Sequence, residues 1–407
     1  MGKRAARVFR WLTLAWATII FMGVGFRVLA DCSRFGLPFT DLGSVSGFCA
    51  AIAEAYYTGI TNGTSPTTFS PSANVTRTQA AAFATRTLDA ALARGSRRAA
   101  LGQWWTTTPH YDVSLGLTSV GTRPSSLASD GADVWVTSQD SGRISRVRAS
   151  DGTLLETWTG ATVPTNGIRV AMGRVFVIGG INIPGTLSMI DPTQSAGAVT
   201  DVATVGKTPT DIAFDGNNLW TANFGGHSVS IVSPGSWSVS TVSVGTTLAG
   251  LAVNALVFDG TNMWVTVYDV ASLAGSVLRL DSAGGVLQTI TVGNAPSHPV
   301  FDGANLWVPN ESDDSLSVVR ASDGVVLKTF SAANGDQNGL SSPTWAAFDG
   351  ENVLVTDPSG HGISLFRATD LAPLGFFSMA GHNPSSACSD GQNFWVTLIT
   401  TDAVGRY

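Results

Sequence analysis

Cysteine, histidine and charge are all scarce in this chain: 3 Cys, 5 His and 13% charged residues among 407. The cysteines, Cys32, Cys49 and Cys388, are too few and too widely spaced for a metal motif or a dense disulfide scaffold. The histidines, His110, His227, His298, His361 and His382, are scattered. No Gly-x-Ser-x-Gly elbow, His-Glu-x-x-His pair or phosphate-cradling glycine loop accompanies them, which excludes the common hydrolase, metalloprotease and nucleotide-binding signatures. Positive charge is short as well, with 23 Lys and Arg against 29 Asp and Glu and a net charge of −6. Five of the positive residues and no acidic ones fall in the first 30, so the remainder carries −11. A chain that acidic has no electrostatic footprint for nucleic acid.

Only one long apolar run is present, Trp11 to Phe26, and no second run of that length follows it. It is preceded by Lys3, Arg4, Arg7 and Arg10 and followed by Val28-Leu29-Ala30, the pattern of a secretory signal over 1–30. The run is 16 residues long, short of the roughly 20 a spanning helix needs. A retained anchor is the alternative; once the signal is removed no membrane span is expected.

What is abundant is glycine, 45 residues, together with a short phrase that returns seven times. An Asp-Gly turn leads into a bulky apolar residue, clearest in Phe214-Asp215-Gly216 with Leu219-Trp220, Phe258-Asp259-Gly260 with Met263-Trp264, and Phe301-Asp302-Gly303 with Leu306-Trp307. Weaker copies begin at Asp130, Met172, Asp349 and Asp390. The turn glycines, 131, 173, 216, 260, 303, 350 and 391, are 42, 43, 44, 43, 47 and 41 residues apart. A period near forty filled with β-branched residues at alternating positions fits a four-stranded antiparallel sheet per unit. In the third unit the strands are expected at 210–214, 218–223, 227–232 and 238–243. Asp-Gly-x-Asn predicts tight primed hairpins between the first two strands, and the aromatic residues predict packing between neighbouring sheets.

The last unit has 16 residues after Gly391, enough for two more strands but not a third. The missing strand is expected from Tyr111 to Gly121, ahead of the first Asp-Gly. The expected fold class is therefore all-β, a seven-bladed β-propeller over 110–407 closed by pairing the two ends of the domain, which removes open sheet edges. These units resemble the YVTN family of β-propeller repeats, with Leu219-Trp220-Thr221-Ala222-Asn223 and Leu306-Trp307-Val308-Pro309-Asn310 nearest its signature. The repeat layout also resembles virginiamycin-type lyases; their Trp-Phe-Thr-Glu phrase is absent, so that resemblance carries over no catalytic residue.

Residues 31–88 read as a small helical module. Phe39-Thr40-Asp41, the stretch Ala50 to Tyr57, Gly59-Ile60, Phe69-Ser70-Pro71 and Val75-Thr76-Arg77-Thr78-Gln79 resemble an S-layer homology module. One helix would bury Ile52 and Tyr56; a second, capped near Thr76, would turn Ala80, Phe83 and Ala84 inward. The resemblance implies that Thr76 and Arg77 bind a cell-wall polymer. In an exported protein a bridge between Cys32 and Cys49 is expected, contributing about 3 kcal/mol, while Cys388 reads as a small buried apolar residue. Residues 89–109 read as a linker.

A ligand of a propeller is expected around the central channel, on the face of the D-to-A and B-to-C loops. A proline six residues before the repeat Asp marks several first strands, and two residues beyond it, or close to the matching place, stand Ser126, Asn166, Asp211, Asn254, His298, Trp345 and Ser386. These are the candidate ligand-binding residues. The B-to-C loops add Asp140, Asn223, Asn310, Asp313 and Asp314, with Asp269, Glu311 and Asp357 as candidate ligands of a hard cation. No cofactor is required by the sequence; Ca²⁺ or Mg²⁺ is the open option. The expected function is that of an exported, secreted or envelope-associated binding protein whose partner is a cell-wall polymer, a surface glycan or a protein, rather than an enzyme. The alternative is a secreted lyase or lactone hydrolase using a divalent cation, with His298 and Asp211 as acid and base.

Overall fold

The structure, a computed structural model, describes residues 37–42, 52, 61, 64–65, 67–75, 80, 116–244, 250–331, 339–379 and 381–407. The chain divides into two compact units, Met1–Arg94 and Gly95–Tyr407. The expected signal at 1–30, the Cys32–Cys49 bridge, Thr76, Arg77 and the 89–109 linker lie outside the described residues.

In the first unit Phe39, Leu42 and Ile52 are buried together against Leu37 and Phe69. The Phe39 and Phe69 rings lie 5.5 Å apart. Asp41 holds the segment at 69–70 by accepting the backbone N–H of Phe69 at 2.8 Å and of Ser70 at 2.7 Å. Those two bonds keep its carboxyl below the usual range. Ile52 is helical and buried, as expected; Ala80 is helical but exposed, so it is not on the inward face assigned to it.

The second unit contains seven four-stranded antiparallel sheets. Strand β1 is Gly116–Ser119. Blade one is β2 (Pro124–Ser129), β3 (Asp133–Ser138), β4 (Arg143–Arg148) and β5 (Leu154–Trp158). Blade two is β6 (Thr165–Ala171) to β9 (Thr200–Lys207), blade three β10 (Pro209–Phe214) to β13 (Ser238–Ser243), and blade four β14 (Leu251–Phe258) to β17 (Val286–Thr291). Blade five is β18 (Val300–Phe301) to β21 (Val326–Ser331) and blade six β22 (Trp345–Phe348) to β25 (Ala372–Ser378). Blade seven joins β26 (Pro384–Ser389), β27 (Phe394–Leu398) and β28 (Ala403–Arg406) to β1 from the other end of the domain. The register of that closure is Gly116 opposite Arg406 and Ser119 opposite Ala403. The innermost strand of each blade lies beside that of the next, and β26 returns to β2, so the ring is closed. Short 3-10 turns at Phe224–Gly226, Glu311–Asp313 and Ile399–Thr401 lead into the third strands. Among the described residues no helix is long and apolar enough to cross a membrane.

There is no single core. Seven apolar clusters each draw on two adjacent blades. The repeat's bulky residue belongs to them in every case: Trp135, Phe176, Trp220, Trp264, Trp307, Leu354 and Trp395, all at most 1% exposed. Burying an aromatic of this size contributes several kcal/mol, and here it glues one blade to the next.

The turn before each tryptophan differs from the primed hairpin expected. In blade three Gly216 has φ 97°, and a Cβ there would meet nothing, so glycine is required by the backbone angle alone. Asp215 Oδ1 accepts the N–H of Asn217 at 2.7 Å and of Asn218 at 2.6 Å, while Oδ2 accepts Trp220 Nε1–H at 2.7 Å. The same clamp joins Asp130 to Trp135, Asp259 to Trp264, Asp302 to Trp307 and Asp390 to Trp395. A two-residue turn with both angles positive occurs among the seven only at Met172 (φ 53°) and Gly173 (φ 67°). Phe176 has no indole N–H to offer, and blade two dispenses with the aspartate.

Replacing Asp302 by Ala strands two turn amides and a buried indole N–H, and is expected to lower the unfolding free energy by about 3 kcal/mol. Trp307→Phe, which keeps most of the packing, should cost less. Urea unfolding of the two variants checks the order.

Candidate functional site

Strand A of each blade lines the channel, and in five of the seven its start is bulged. Register shifts occur between Pro124 and Ser126, Thr165 and Gly167, Pro209 and Asp211, Val253 and Ala255, and Pro384 and Ala387. A bulge re-aims the extra residue. The amide after it is satisfied by a threonine on the second strand: Ser126, Ala255 and Ser386 donate to Thr137, Thr266 and Thr397 Oγ1 at 2.8–3.1 Å.

The re-aimed residues are Ser125, Asn166, Thr210, Asn254 and Ser385, matched in blades five and six by Ser297 and Thr344. All seven line a mouth chamber of about 430 Å³. Several also stitch the ring. Ser125 Oγ donates to the Thr165 carbonyl at 2.7 Å, Asn166 Nδ2 to Pro209 O at 2.9 Å, Thr210 Oγ1 to Asn254 O at 2.6 Å, and Asn254 Nδ2 to Pro296 O at 3.0 Å. Each bond runs from one blade to the next. The expected position therefore coincides with the mouth ring at Asn166 and Asn254; His298 and Trp345 also reach the mouth, each beside the ring residue before it, whereas at Ser126, Asp211 and Ser386 the ring residue is the preceding one. Ser126 and Ser386 are buried within their blades and do not line either chamber. The missed signal is legible afterwards: the residue directly following each proline that marks a first strand is Ser or Thr.

A second chamber of about 330 Å³ occupies the channel toward the A-to-B turns. Its waist is formed by the residues paired with the blade-packing position: Ala128, Arg169, Ala213, Val257, Val300, Ala347 and Cys388, opposite Trp135, Phe176, Trp220, Trp264, Trp307, Leu354 and Trp395. Arg169 is the single charged member. Burial raises the free Cys388 thiol well above its usual value, with the charge of Asp390 adding to the effect.

His298 and Trp345 line both chambers. Their rings stack at 3.7 Å with planes 10° apart. His298 Nδ1 lies 3.2 Å from Ser297 Oγ, while Nε2 is covered and has no hydrogen-bond partner among the described residues. Part of the ring meets the channel, but burial of its nitrogens pushes the imidazole down to about 3, a shift the Thr344 carbonyl opposes. Asp211 spends both oxygens on backbone: Oδ1 accepts Ile212 N–H and Oδ2 accepts Leu256 N–H, each at 2.8 Å. Burial pushes its carboxyl up to about 7 against the pull of those amides and of Arg169. The two groups share the deep chamber, yet no hydrogen bond joins them, and both carboxylate oxygens are occupied.

The acidic loop residues are clips rather than a cluster. Asp357 accepts the backbone N–H of Ser341 and of Gly360, the latter at 2.6 Å; Asp313 accepts Asn294 N–H at 2.6 Å; Asp402 accepts Arg123 N–H at 2.9 Å. Ser341, Asn294 and Arg123 belong to D-to-A loops, so these carboxylates tie the two loop sets together. Asp269 caps its own loop through Ala271 and Ser272. Asp140 pairs loosely with Arg123 at 3.5 Å, both exposed. Asn223 and Asn310 are fully buried and donate to Ser228 and Ser230 and to Ser315 and Ser317, so they hold blades rather than face the mouth. Among the described residues no three His, Cys, Asp or Glu side chains gather as a metal site, and Asp269, Glu311 and Asp357 remain in three separate blades. Glu311 is the acid that lines the mouth chamber, its carboxyl raised by burial; burial raises Tyr268 as well, and the charge of Glu311 adds to that.

Fold and channel together define a seven-bladed β-propeller, and residues 38–81 ahead of it match the S-layer homology domain family. No curated protein matches the sequence. Similar solved structures include Kuenenia stuttgartiensis hydrazine synthase, at 14% identity and TM-score 0.59, covering 74% of this chain and 98% of that one. Virginiamycin B lyase from Staphylococcus aureus gives 14%, 0.57, 72% and 98%. The WD40 propeller domain of Doa1 gives 11%, 0.56, 72% and 95%. At such identities the likeness is one of fold.

Because folded Asp211 holds its proton to about pH 7 and an ordinary aspartate only to 3.8, the folded state binds more protons between those values. Stability is therefore highest below that window and declines as pH rises through it. Asp211→Asn should remove this component, so that urea midpoints of wild type fall relative to the variant between pH 5 and pH 8; parallel profiles would contradict the assignment.

Proposed function

We propose that this is an exported cell-surface protein that its S-layer homology domain attaches to a wall polymer, and that the propeller mouth binds a hydroxyl-rich ligand, a surface glycan. The match at 38–81 carries the first half: S-layer homology domains bind cell-wall polymers and associate their carriers with the envelope. Export through the 1–30 signal, and contact through Thr76 and Arg77, belong to the same proposal.

The mouth supports the second half. Its ring of Ser, Thr and Asn uses side-chain hydrogens to join blades, which leaves side-chain oxygens as acceptors for ligand hydroxyls. Trp345 and Tyr268 give flat apolar faces to the same chamber, and Glu311 gives a carboxylate. A few polar groups fixed on a rigid concave wall are what a small-ligand site uses. A catalytic reading is weaker here, since Asp211 is committed to backbone amides and His298 is held neutral.

Two measurements test the two halves. The full chain should co-sediment with protein-stripped cell walls, and Arg77→Ala should release most of it; equal retention of both ends the anchoring role. Calorimetric titration with wall-derived oligosaccharides should show saturable binding that Glu311→Gln and Tyr268→Phe each weaken several-fold. Absence of heat with wild type would sink the mouth reading.

A further inference from the structure

We propose that the deep chamber is an anion site for a small monocarboxylate with an apolar body, received by Arg169. This proposal is independent of the glycan reading, because it concerns the other half of the channel.

Arg169 stands where symmetry makes it conspicuous. It lies seven residues before Phe176, the place that the other six blades fill with Ala, Val or Cys. Those residues keep the channel open at the level of the guanidinium. Several other propeller arginines have partners: Arg146 binds Asp133 and Glu156 at 2.7 Å, Arg174 binds Asp191, Arg320 binds Asp323, Arg367 binds Asp370, and Arg406 donates to backbone carbonyls, while Arg279 lies over the Trp264 ring, away from the channel waist. Arg169 has no hydrogen bond or ion pair among the described residues. Its side chain is open to the water of the channel even though protein surrounds it on all sides. Burial lowers the guanidinium from its usual value and the charge of Asp211 opposes that; a guanidinium starts so high that it keeps its proton, and its planar fork of donors matches a carboxylate in bidentate fashion.

The rest of the wall fixes the class of ligand. Four titratable groups line the chamber: Arg169, Asp211, His298 and Cys388. His298 is neutral and the Cys388 thiol is held protonated. Asp211 is the sole charge that influences Arg169, and both of its oxygens are turned to the amides of Ile212 and Leu256. One cation beside one partly ionised carboxyl suits one negative charge and disfavours two, which selects against phosphate. Val170, Phe258, Val300 and Phe348 leave apolar surface for the body of the ligand. The chamber volume, about 330 Å³, is that of a small-molecule site.

Benzoate is the probe, with benzamide as its uncharged isostere and inorganic phosphate as the compact anion, each titrated into the full chain by calorimetry. Benzoate should bind one per chain, about tenfold or more tighter than either of the others, a difference of about 1.4 kcal/mol. Arg169→Gln should abolish the preference for benzoate over benzamide. Val257→Phe, which leaves Arg169 in place and fills the chamber, should abolish benzoate binding outright; it also decides the matter should Arg169→Gln fail to fold. No benzoate binding to wild type, equal affinity for benzamide, tighter binding of phosphate, or full benzoate affinity in Val257→Phe each overturns the proposal.

Discussion

In five of the seven blades the aspartate that begins the A-to-B turn holds two turn amides and an indole N–H at once, and the propeller is organised around that carboxylate. In blade five Asp302 Oδ1 takes the N–H groups of Ala304 and Asn305, and Oδ2 takes the indole N–H of Trp307. A turn is closed, an indole that would otherwise be buried with an unpaired donor is satisfied, and the ring is aimed at the neighbouring blade. The aimed ring joins the apolar cluster that holds two sheets together. Where the aspartate is absent, in blade two, Phe176 replaces tryptophan and a primed Met172-Gly173 turn suffices. In blade six Asp349 still caps Glu351 and Asn352, although the Leu354 side chain has no N–H to donate.

Fixing the second strand fixes the first. Once Trp220 is anchored, antiparallel pairing sets Ala213 opposite it, and the bulge beyond turns Thr210 into the mouth. The channel thus acquires two levels with different chemistry, a polar ring that stitches the blades and an apolar waist with one arginine. His298 and Trp345 lie between the levels as a stacked pair. The scaffold tolerates such departures because each blade is held by its neighbours through clusters that extend from the channel wall out to the second and third strands.

The number of blades, the closure between the two ends and the strands of the third unit were legible in the chain, because turn chemistry and period-two alternation are local properties. The strands expected at 210–214 and 238–243 occur at Pro209–Phe214 and Ser238–Ser243. The site was legible only in part. Asn166 and Asn254 line the mouth as expected, whereas Ser126 and Ser386 are turned into their blades, since the expectation carried a straight strand through what is a bulge. The loop acids suggested a cation site; in the fold, Asp313 and Asp357 are spent on amides of the neighbouring loops.

By itself the sequence determined what repeats: the turn aspartate, its glycine, the bulky residue after it, and hence seven sheets and a ring. Only the tertiary structure decided which side chains the ring brings together, because residues of different blades become neighbours only when the sheets pack around the channel. The isolation of Arg169 among small neighbours belongs to this second kind. In the chain it is one arginine in a strand, and what makes it an unpartnered cation is the set of six residues that the six other blades place around it.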